Sequence, residues 1–190
     1  MISAIVPRPI AFVSTISAAG HTNAAPFSYF TGVSSSPLSL LICAGRRRDG
    51  LKDTQRNIVE TGEFVVNVVV EEMMDAVVIG GADQAPGISE IELAGLRTEP
   101  AVKVRPPLIA DSPVKMECRM SHLFEAAGAA IIVGEVVWIH VRDDLLMHGA
   151  ERGAGAGAGR HRLDPNRLKP IARLGGDFYT RLGEVFEKGK

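Results

Sequence analysis

Cysteine, aromatic residues and net charge are all scarce in this sequence. Its 190 residues include two cysteines, 5% aromatic residues and a formal net charge of -1. Cys43 and Cys118 lie far apart in apolar surroundings, which excludes a zinc-binding or dithiol redox spacing and indicates buried free thiols in a reducing cytosol. A net charge near zero excludes a global basic field for nucleic acid or an anionic membrane surface. Any anion site must therefore be local.

Long apolar runs are missing as well. No run reaches the roughly 18 residues that a membrane-spanning helix needs, and the first residues lack the charged and apolar regions of a secretion signal. We therefore expect a cytoplasmic protein that binds neither membrane nor nucleic acid. The chain does have 46% hydrophobic residues, and a domain of this length buries roughly 70% of its unfolded surface. A single domain over residues 1–190 is the expectation.

Short strand patterns dominate the chain. Pro26 cannot donate to a strand ladder, so it must lie at an edge, a bulge or a kink, and Gly134 marks a bend. The spacing favours a mainly β, antiparallel barrel with two or three helices over a parallel sheet. The predicted strands are 10–16, 23–30, 38–44, 64–70, 113–125 and 129–141, with a turn at 17–22 and a loop at 33–37.

Residues 113–125 alternate strictly between apolar and polar side chains. This alternation predicts a half-buried strand with one face toward the core and one toward solvent. The buried face carries Val114, Met116, Cys118 and Met120, and the solvent face carries Lys115, Glu117, Arg119 and Ser121.

Two segments have helical patterns. In the segment that ends at Gly62, Asp53 is the predicted N-cap, Ile58 and Val59 face inward, and the glycine terminates the helix. A second helix is predicted over 71–81, where it runs into a glycine-containing loop.

A local cluster of positive charge precedes the first of these helices. The free N–H groups and the positive dipole end of a helix favour an anion such as a phosphate. A solvated basic loop is the alternative interpretation. Hydroxyls and small side chains in the opening strands could form a face for a flat ligand, so a phosphate would bind at one end and a ring at the other. The basic cluster contains Arg46, Arg47, Arg48, Lys52 and Thr54, and the strand face contains Ser14, Thr15, Ala24, Ala25 and Ser28.

Motifs that carry chemistry by themselves are not found. The five histidines lack metal-binding spacing, and the serines at 34–36 lack the context of a nucleophile elbow. The Gly/Ala tract at 153–159 has no strand before it and no Gly-Lys-Ser/Thr after it, so we predict a flexible connector. We expect no metal and no catalytic side chain, with a cofactor supplying the reactivity.

Several motifs, in order, resemble the flavin reductase-like, FMN-binding split-barrel family. These are VPRPIAFVST, GHTNAAPFSYF, VSSSP, KDTQRNIVETGEFVVNVV, GEVVWIHV and PIARLGGDFY. The resemblance covers most of the chain. It implies an antiparallel Greek-key split barrel with a few helices, forming a homodimer with FMN near the subunit interface.

The resemblance also implies where FMN would bind. Asp53 would orient the phosphate loop rather than touch the anion, and many of the contacts to the ring would come from backbone groups. The isoalloxazine and ribityl contacts would be Ser14, Thr15, Asn23, Ala24, Ala25, Pro26, Phe27, Ser28, Ser34 and Ser35. The phosphate end would be Arg46, Lys52, Asp53 and Thr54.

The implied activity is hydride transfer from NADH or NADPH to the flavin, with electrons passing to free flavin, an acceptor protein or a monooxygenase component. An FMN-binding electron carrier that NAD(P)H does not reduce directly is the first alternative. A pyridoxamine phosphate oxidase-like enzyme on a related barrel is the second, although KDTQRNI and RLGGDFY fit it less well.

Overall fold

The protein is described here from a computed structural model that covers residues 2–46, 50–82, 84–85, 87–126, 128–147 and 162–188. Within them, the strands are β1 Arg8–Pro9, β2 Ala11–Ile16, β3 Thr22–Phe27, β4 Phe30–Ser35, β5 Leu38–Gly45, β6 Glu63–Val68, β7 Thr98–Glu99, β8 Leu108–Ile109, β9 Val114–Ala126, β10 Ala129–Val141, β11 Ala172–Gly175 and β12 Phe178–Thr180. The α-helices are α1 Asp53–Thr61, α2 Met74–Gly81, α3 Glu90–Leu93 and α4 Pro165–Leu168, with short 3-10 helices at Ile2–Ala4, Glu71–Met73 and Asp143–Leu145.

Seven strands form one antiparallel sheet in the order β3-β2-β6-β9-β10-β5-β4. Its two edge strands, β3 and β4, are joined by two residues, Ser28 and Tyr29. A flat sheet of this width would hold the edges about 29 Å apart, whereas the link spans at most about 11 Å. The sheet must therefore curl until its edges meet, which confirms the predicted antiparallel barrel.

The interior of the barrel is filled by apolar side chains from the strands and from α1. Phe64, Ile42 and Ile132 are fully buried there, together with Ile58 of α1. A Cβ atom at Gly134 would overlap the Phe64 ring, so glycine is needed where β10 passes this side chain. The register of β10 against β9 shifts at this glycine, which confirms the predicted bend.

At the two edge strands, the prediction for Pro26 is confirmed and the loop predicted at 33–37 is partly wrong. Pro26 lies in edge strand β3, where its missing N–H is tolerated. The loop predicted at 33–37 is wrong at 33–35, which belong to β4; Ser34 and Ser35 pair there with Ser39 and Leu38 of β5. The serine-rich sequence reflects an exposed edge strand rather than a loop.

Helix α1 begins one residue earlier than predicted, so the predicted N-cap at Asp53 is wrong. Lys52 occupies the N-cap position and makes no side-chain cap bond, while Asp53 is the first helical residue. Gly62 ends the helix in the left-handed conformation, as predicted. Val59 is 49% exposed, so its predicted inward orientation is wrong. The buried face of α1 instead carries polar residues, including Asn57.

The strand predicted at 113–125 is confirmed as β9, but the orientation of Glu117 is wrong. Its side chain is fully buried, because the segment 102–104 folds over this face of β9. The Glu117 carboxylate accepts hydrogen bonds from the N–H groups of Val102 (2.8 Å), Lys103 (2.6 Å) and Val104 (3.2 Å). His140 Nε2 lies 2.6 Å from the same carboxylate.

A three-stranded sheet in the order β1-β11-β12 brings the two ends of the chain together. Arg8 of the first motif lies opposite Arg173 of the last, and Arg173 lies opposite Tyr179. The Arg173 guanidinium stacks 4.6 Å from the centre of the Tyr179 ring. The predicted connector at 153–159 lies outside the described residues. Among the residues that are described, no helix has the length and apolar character to cross a bilayer.

Candidate functional site

The first turn of α1 is the centre of the candidate site. Ile58, buried in the barrel, fixes the helix against the sheet. Since the Lys52 side chain makes no cap bond, the N–H groups at this end of the helix have no side-chain cap. Such groups carry a partial positive charge, which the Lys52 ammonium increases. The anion site that the sequence predicts at this helix end stays a prediction.

A buried network of amides and hydroxyls connects this turn to the opening strands. Asn23 Nδ2 donates to Thr54 Oγ1 (3.2 Å), and Asn57 Nδ2 donates to Thr15 Oγ1 (2.9 Å) and Asn23 Oδ1 (3.3 Å). Thr15 Oγ1 also donates to Asn23 Oδ1 in a close hydrogen bond. We call these four residues the amide–hydroxyl network. It explains why polar side chains replace apolar bulk here: the Thr15 hydroxyl joins β2 to α1, and the Asn23 amide joins β3 to α1.

Two neighbouring cavities open beside the network. The smaller one lies between the first turn of α1, β3 and the end of α2, and its lining includes Ala25, Lys52 and Thr54. The larger one, of about 190 Å³, reaches from Asn57 to His21 in the turn between β2 and β3. Asn23 and Asp53 line both cavities. The structure therefore brings residues of the two predicted ligand ends to adjoining spaces.

Both oxygens of the Asp53 carboxylate are engaged by donors. Its Oδ2 accepts the N–H of Gly87 at 3.2 Å, and its Oδ1 forms a close ion pair with Arg56. These contacts tie α1 to the segment that follows α2. The expected role of Asp53, to orient the phosphate loop rather than touch the anion, stays a prediction.

Arg46 lies after β5 and is held by a carboxylate. Its Nη2 is 2.7 Å from Glu125 Oε2, and the other oxygen of Glu125 accepts Gln55 Nε2 at 3.3 Å. Gln55 belongs to the first turn of α1 and is 1% exposed, and its Oε1 has no hydrogen-bond partner. Arg46 is therefore joined to the helix start through Glu125. Arg47 and Arg48 of the basic cluster lie outside the described residues.

The remaining predicted ligand residues are spread over several surfaces. Ser14 Oγ donates to Pro107 O at 2.6 Å, on the opposite face of β2 from Thr15. Ser28 Oγ accepts a long bond from Arg8 Nε at 3.4 Å. Ala24 and Phe27 are buried, Pro26 is half-buried on edge strand β3, and Ser34 and Ser35 are exposed on edge strand β4. Of this group, the exposed and half-buried residues have side chains that a ligand could reach.

Three residues of the site were not singled out from the sequence. Asn57 follows Thr54 by three positions, so helical spacing places both on one face and could have identified it. Gln55 and Glu125 gave no such signal, because they are 70 positions apart and meet only through the fold. Within the described part of the chain, no group of three His, Cys, Asp or Glu side chains could hold a metal ion.

Comparisons with known proteins agree on one family. A family model for the flavin reductase like domain matches residues 3–155. The Halalkalibacterium halodurans protein BH2278 is 39% identical over 193 residues, which cover 98% of this chain and 87% of the relative.

Two solved structures share the fold over nearly the whole chain. Nitrilotriacetate monooxygenase component B from Bacillus cereus has a TM-score of 0.86 and 34% identity, covering 97% of this chain and 89% of its own. The 2-nitrobenzoate 2-nitroreductase NbaA from Pseudomonas fluorescens has a TM-score of 0.83 and 29% identity, covering 99% and 87%. The predicted split-barrel fold is confirmed.

Proposed function

Because the chain belongs to the flavin reductase-like family, we propose that it binds FMN and acts as an NAD(P)H-dependent flavin oxidoreductase. The observation that carries the proposal is the uncapped first turn of α1, which lies beside Lys52, Thr54 and the small side chains of β3. This arrangement joins a positively charged end to a face that a flat ring could approach.

The residues present fit the phosphate of FMN. The uncapped N–H groups of α1 and the Lys52 ammonium supply donors and positive charge. Asp53 is the acidic residue in this turn, and its carboxylate is already engaged by Arg56 and the Gly87 N–H. Phosphate binding would therefore meet little repulsion from the turn itself.

The residues also fit the ribityl and ring portions. Small side chains such as Ala25 let a planar group come close to the backbone of edge strand β3. The buried Gln55 Oε1 is an acceptor without a donor, and the ribityl chain carries hydroxyl donors. We propose that the predicted contacts Asn23 to Ser28 line this portion, with Ser34 and Ser35 reaching it from β4.

Bound FMN would supply hydride acceptance and onward electron transfer, chemistry that no side chain provides by itself. The task of the protein is then to bind, orient and exclude water. Thr15, Asn23, Thr54 and Asn57 are buried and neutral, so they fix the position of β3 and α1 without offering a proton donor of low pKa. No catalytic side chain is required by this proposal.

We further propose a homodimer with the flavin site near its interface, and an acceptor that is free flavin or a partner enzyme. The similarity to a monooxygenase component B supports a partner of the oxygenase type. The exposed edge strand β4 would contribute to the interface. Light scattering on the flavin-loaded protein tests the subunit count, and a monomeric mass would contradict this part of the proposal.

The central experiment is the visible absorption spectrum of FMN-loaded protein, followed without oxygen during addition of NADH and then of NADPH. We expect a flavin spectrum that bleaches with at least one of the two donors. A bound flavin that only dithionite reduces would instead identify an electron carrier. Failure to bind FMN would overturn the proposal, and oxygen uptake with pyridoxine phosphate would point to the oxidase alternative.

A further inference from the structure

The carboxylate of Glu125 occupies one side-chain donor in the first turn of α1 and one donor just after β5. One oxygen binds Arg46 and the other binds the buried amide of Gln55. The Arg46 backbone is fixed independently, since its N–H donates to Gly128 O at 3.3 Å in the turn between β9 and β10. An internal anion is therefore held between a guanidinium and the first turn of α1, the same turn that carries Lys52 and Thr54 of the proposed phosphate end.

The arrangement leaves one atom unsatisfied. Gln55 is 1% exposed, and while its Nε2 donates to Glu125, its Oε1 has no donor. A buried acceptor without a partner is unfavourable. A ligand that combines an anion with hydroxyl donors would satisfy both sides of the amide, whereas a carboxylate alone satisfies only one.

We infer that Glu125 is an internal competitor for the FMN phosphate, holding Arg46 and Gln55 until the ligand binds and thereby weakening FMN binding. The inference rests on the proposed function, because it concerns the regulation of the same site. It assigns Glu125 a specificity role: the residue lowers affinity for flavins that carry a phosphate and leaves the ring contacts alone.

The exposure of the ion pair makes such an exchange feasible. The Arg46 and Glu125 side chains are 52% and 46% exposed, so the pair is solvated and opens readily. A phosphate offers Arg46 more negative charge and more acceptor oxygens than a carboxylate does. The displaced carboxylate remains tethered to β9, close to the phosphate, where like charges repel. Weaker binding of this kind favours a flavin that exchanges with solution over one that stays bound.

The opposite role would be to position Arg46 for the phosphate. A positioning residue and a competitor predict changes of opposite sign when the negative charge is removed. Glu125→Gln keeps the size of the side chain and an oxygen that can accept from Gln55, so it isolates the charge. Glu135→Gln is the matched control, because Glu135 is exposed on β10 and lies about 20 Å along the strand from its start at Ala129.

We would titrate wild type and both variants with FMN and with riboflavin at low salt, following flavin fluorescence. Glu125→Gln should tighten FMN about five- to tenfold, the scale of one like-charge contact near a surface, and leave riboflavin within about twofold. The gain should shrink as salt is raised, because added ions screen exposed charges. Unchanged or weaker FMN binding by Glu125→Gln would overturn the inference, as would an equal gain in Glu135→Gln.

A second probe separates this inference from the proposed function. Inorganic phosphate is titrated against the three proteins, with the melting temperature as the readout. A larger stabilisation of Glu125→Gln by phosphate supports the competitor role even if wild type binds no flavin, a result that would contradict only the proposed function. Equal stabilisation of all three proteins by phosphate would reject the competitor role.

Discussion

Two buried polar clusters of this barrel differ in charge and in what surrounds them. The Glu117 cluster holds one carboxylate that accepts from three backbone N–H groups and lies against His140. The amide–hydroxyl network (Thr15, Asn23, Thr54 and Asn57) is equally buried but contains only neutral groups. Both are made of hydrogen bonds, and the second borders the two cavities beside α1.

If α1 binds a phosphate as proposed, the difference separates structural charge from ligand charge. At the Glu117 cluster, the carboxylate is surrounded by donors from a covering segment, so it fastens residues 102–104 to β9. Beside α1, a buried negative charge would repel a phosphate, and the network uses amides and hydroxyls instead. The acidic groups that do lie near α1, Asp53 and Glu125, are each held by an arginine.

The largest expected effect comes from breaking the charged cluster. In Glu117→Gln, the side-chain amide keeps one acceptor oxygen, while its NH2 group is a donor. The three backbone N–H groups of residues 102–104 then share a single acceptor. We expect the free energy of unfolding to fall by about 3–5 kcal/mol, as for other buried charge networks that lose one member. Urea unfolding measures the change, and Glu135→Gln on the neighbouring strand should stay within about 0.5 kcal/mol of wild type.

Affinity would distinguish the roles of the two clusters. Folded Glu117→Gln protein should bind FMN as wild type does, because its lesion lies away from the α1 cavities. A large loss of FMN affinity in this variant, measured under conditions where it is folded, would contradict the separation of structural and ligand charge.

Breaking the neutral network should reduce stability less and affinity more. Asn23→Ala removes the acceptor used by Thr15 and Asn57 and the donor to Thr54. We expect a loss of about 1–3 kcal/mol in the free energy of unfolding, accompanied by weaker binding of both FMN and riboflavin. Calorimetric titration measures the affinities. If stability fell while both affinities were unchanged, the network would be structural in the same sense as the Glu117 cluster.

Removing the charge at the helix start should affect only the phosphate. Lys52→Gln is expected to weaken FMN by about 1.5–3 kcal/mol, the range for a hydrogen bond to a charged group, and to leave riboflavin nearly unchanged. Lys103→Gln provides the control. Lys103 belongs to the covering segment 102–104, and its ammonium lies over the ring of Trp138 in β10. Equal weakening of FMN and riboflavin by Lys52→Gln would remove Lys52 from the phosphate end.

The features predicted correctly from the sequence are those that local residue patterns determine. The strands, α1 and Gly62 follow from periodicity and turn chemistry, and the resemblance places Thr15, Asn23 and Thr54 at one site, where the structure joins them by hydrogen bonds. The burial of Glu117 does not follow from alternation, because the covering segment reaches β9 from outside the strand pattern.

Charge pairs between residues far apart in the sequence cannot be predicted from local patterns. Glu125 has an ordinary position on an alternating strand, and its hydrogen bond to Gln55 joins residues 70 positions apart that meet only in the folded barrel. The exposed edge strand β4 could not be predicted for a different reason: its hydroxyl-rich sequence lacks the apolar alternation by which half-buried strands are recognised.

The smallest expected effect is a pH dependence confined to the charged cluster. Burial raises the pKa of Glu117, but hydrogen bonds from His140, Val102 and Lys103 outweigh it and hold the pKa below its ordinary value. The unfolded chain therefore binds a proton at higher pH than the folded one, so this stabilisation is complete above the ordinary pKa and is lost as pH falls toward the folded value. The contribution to the slope is at most about 1.4 kcal/mol per pH unit. Urea unfolding between pH 7 and acidic pH should show this slope in wild type and not in Glu117→Gln. Parallel curves for the two proteins would show that another carboxylate dominates the acid response. The Glu117 cluster would then not be distinguished by its charge.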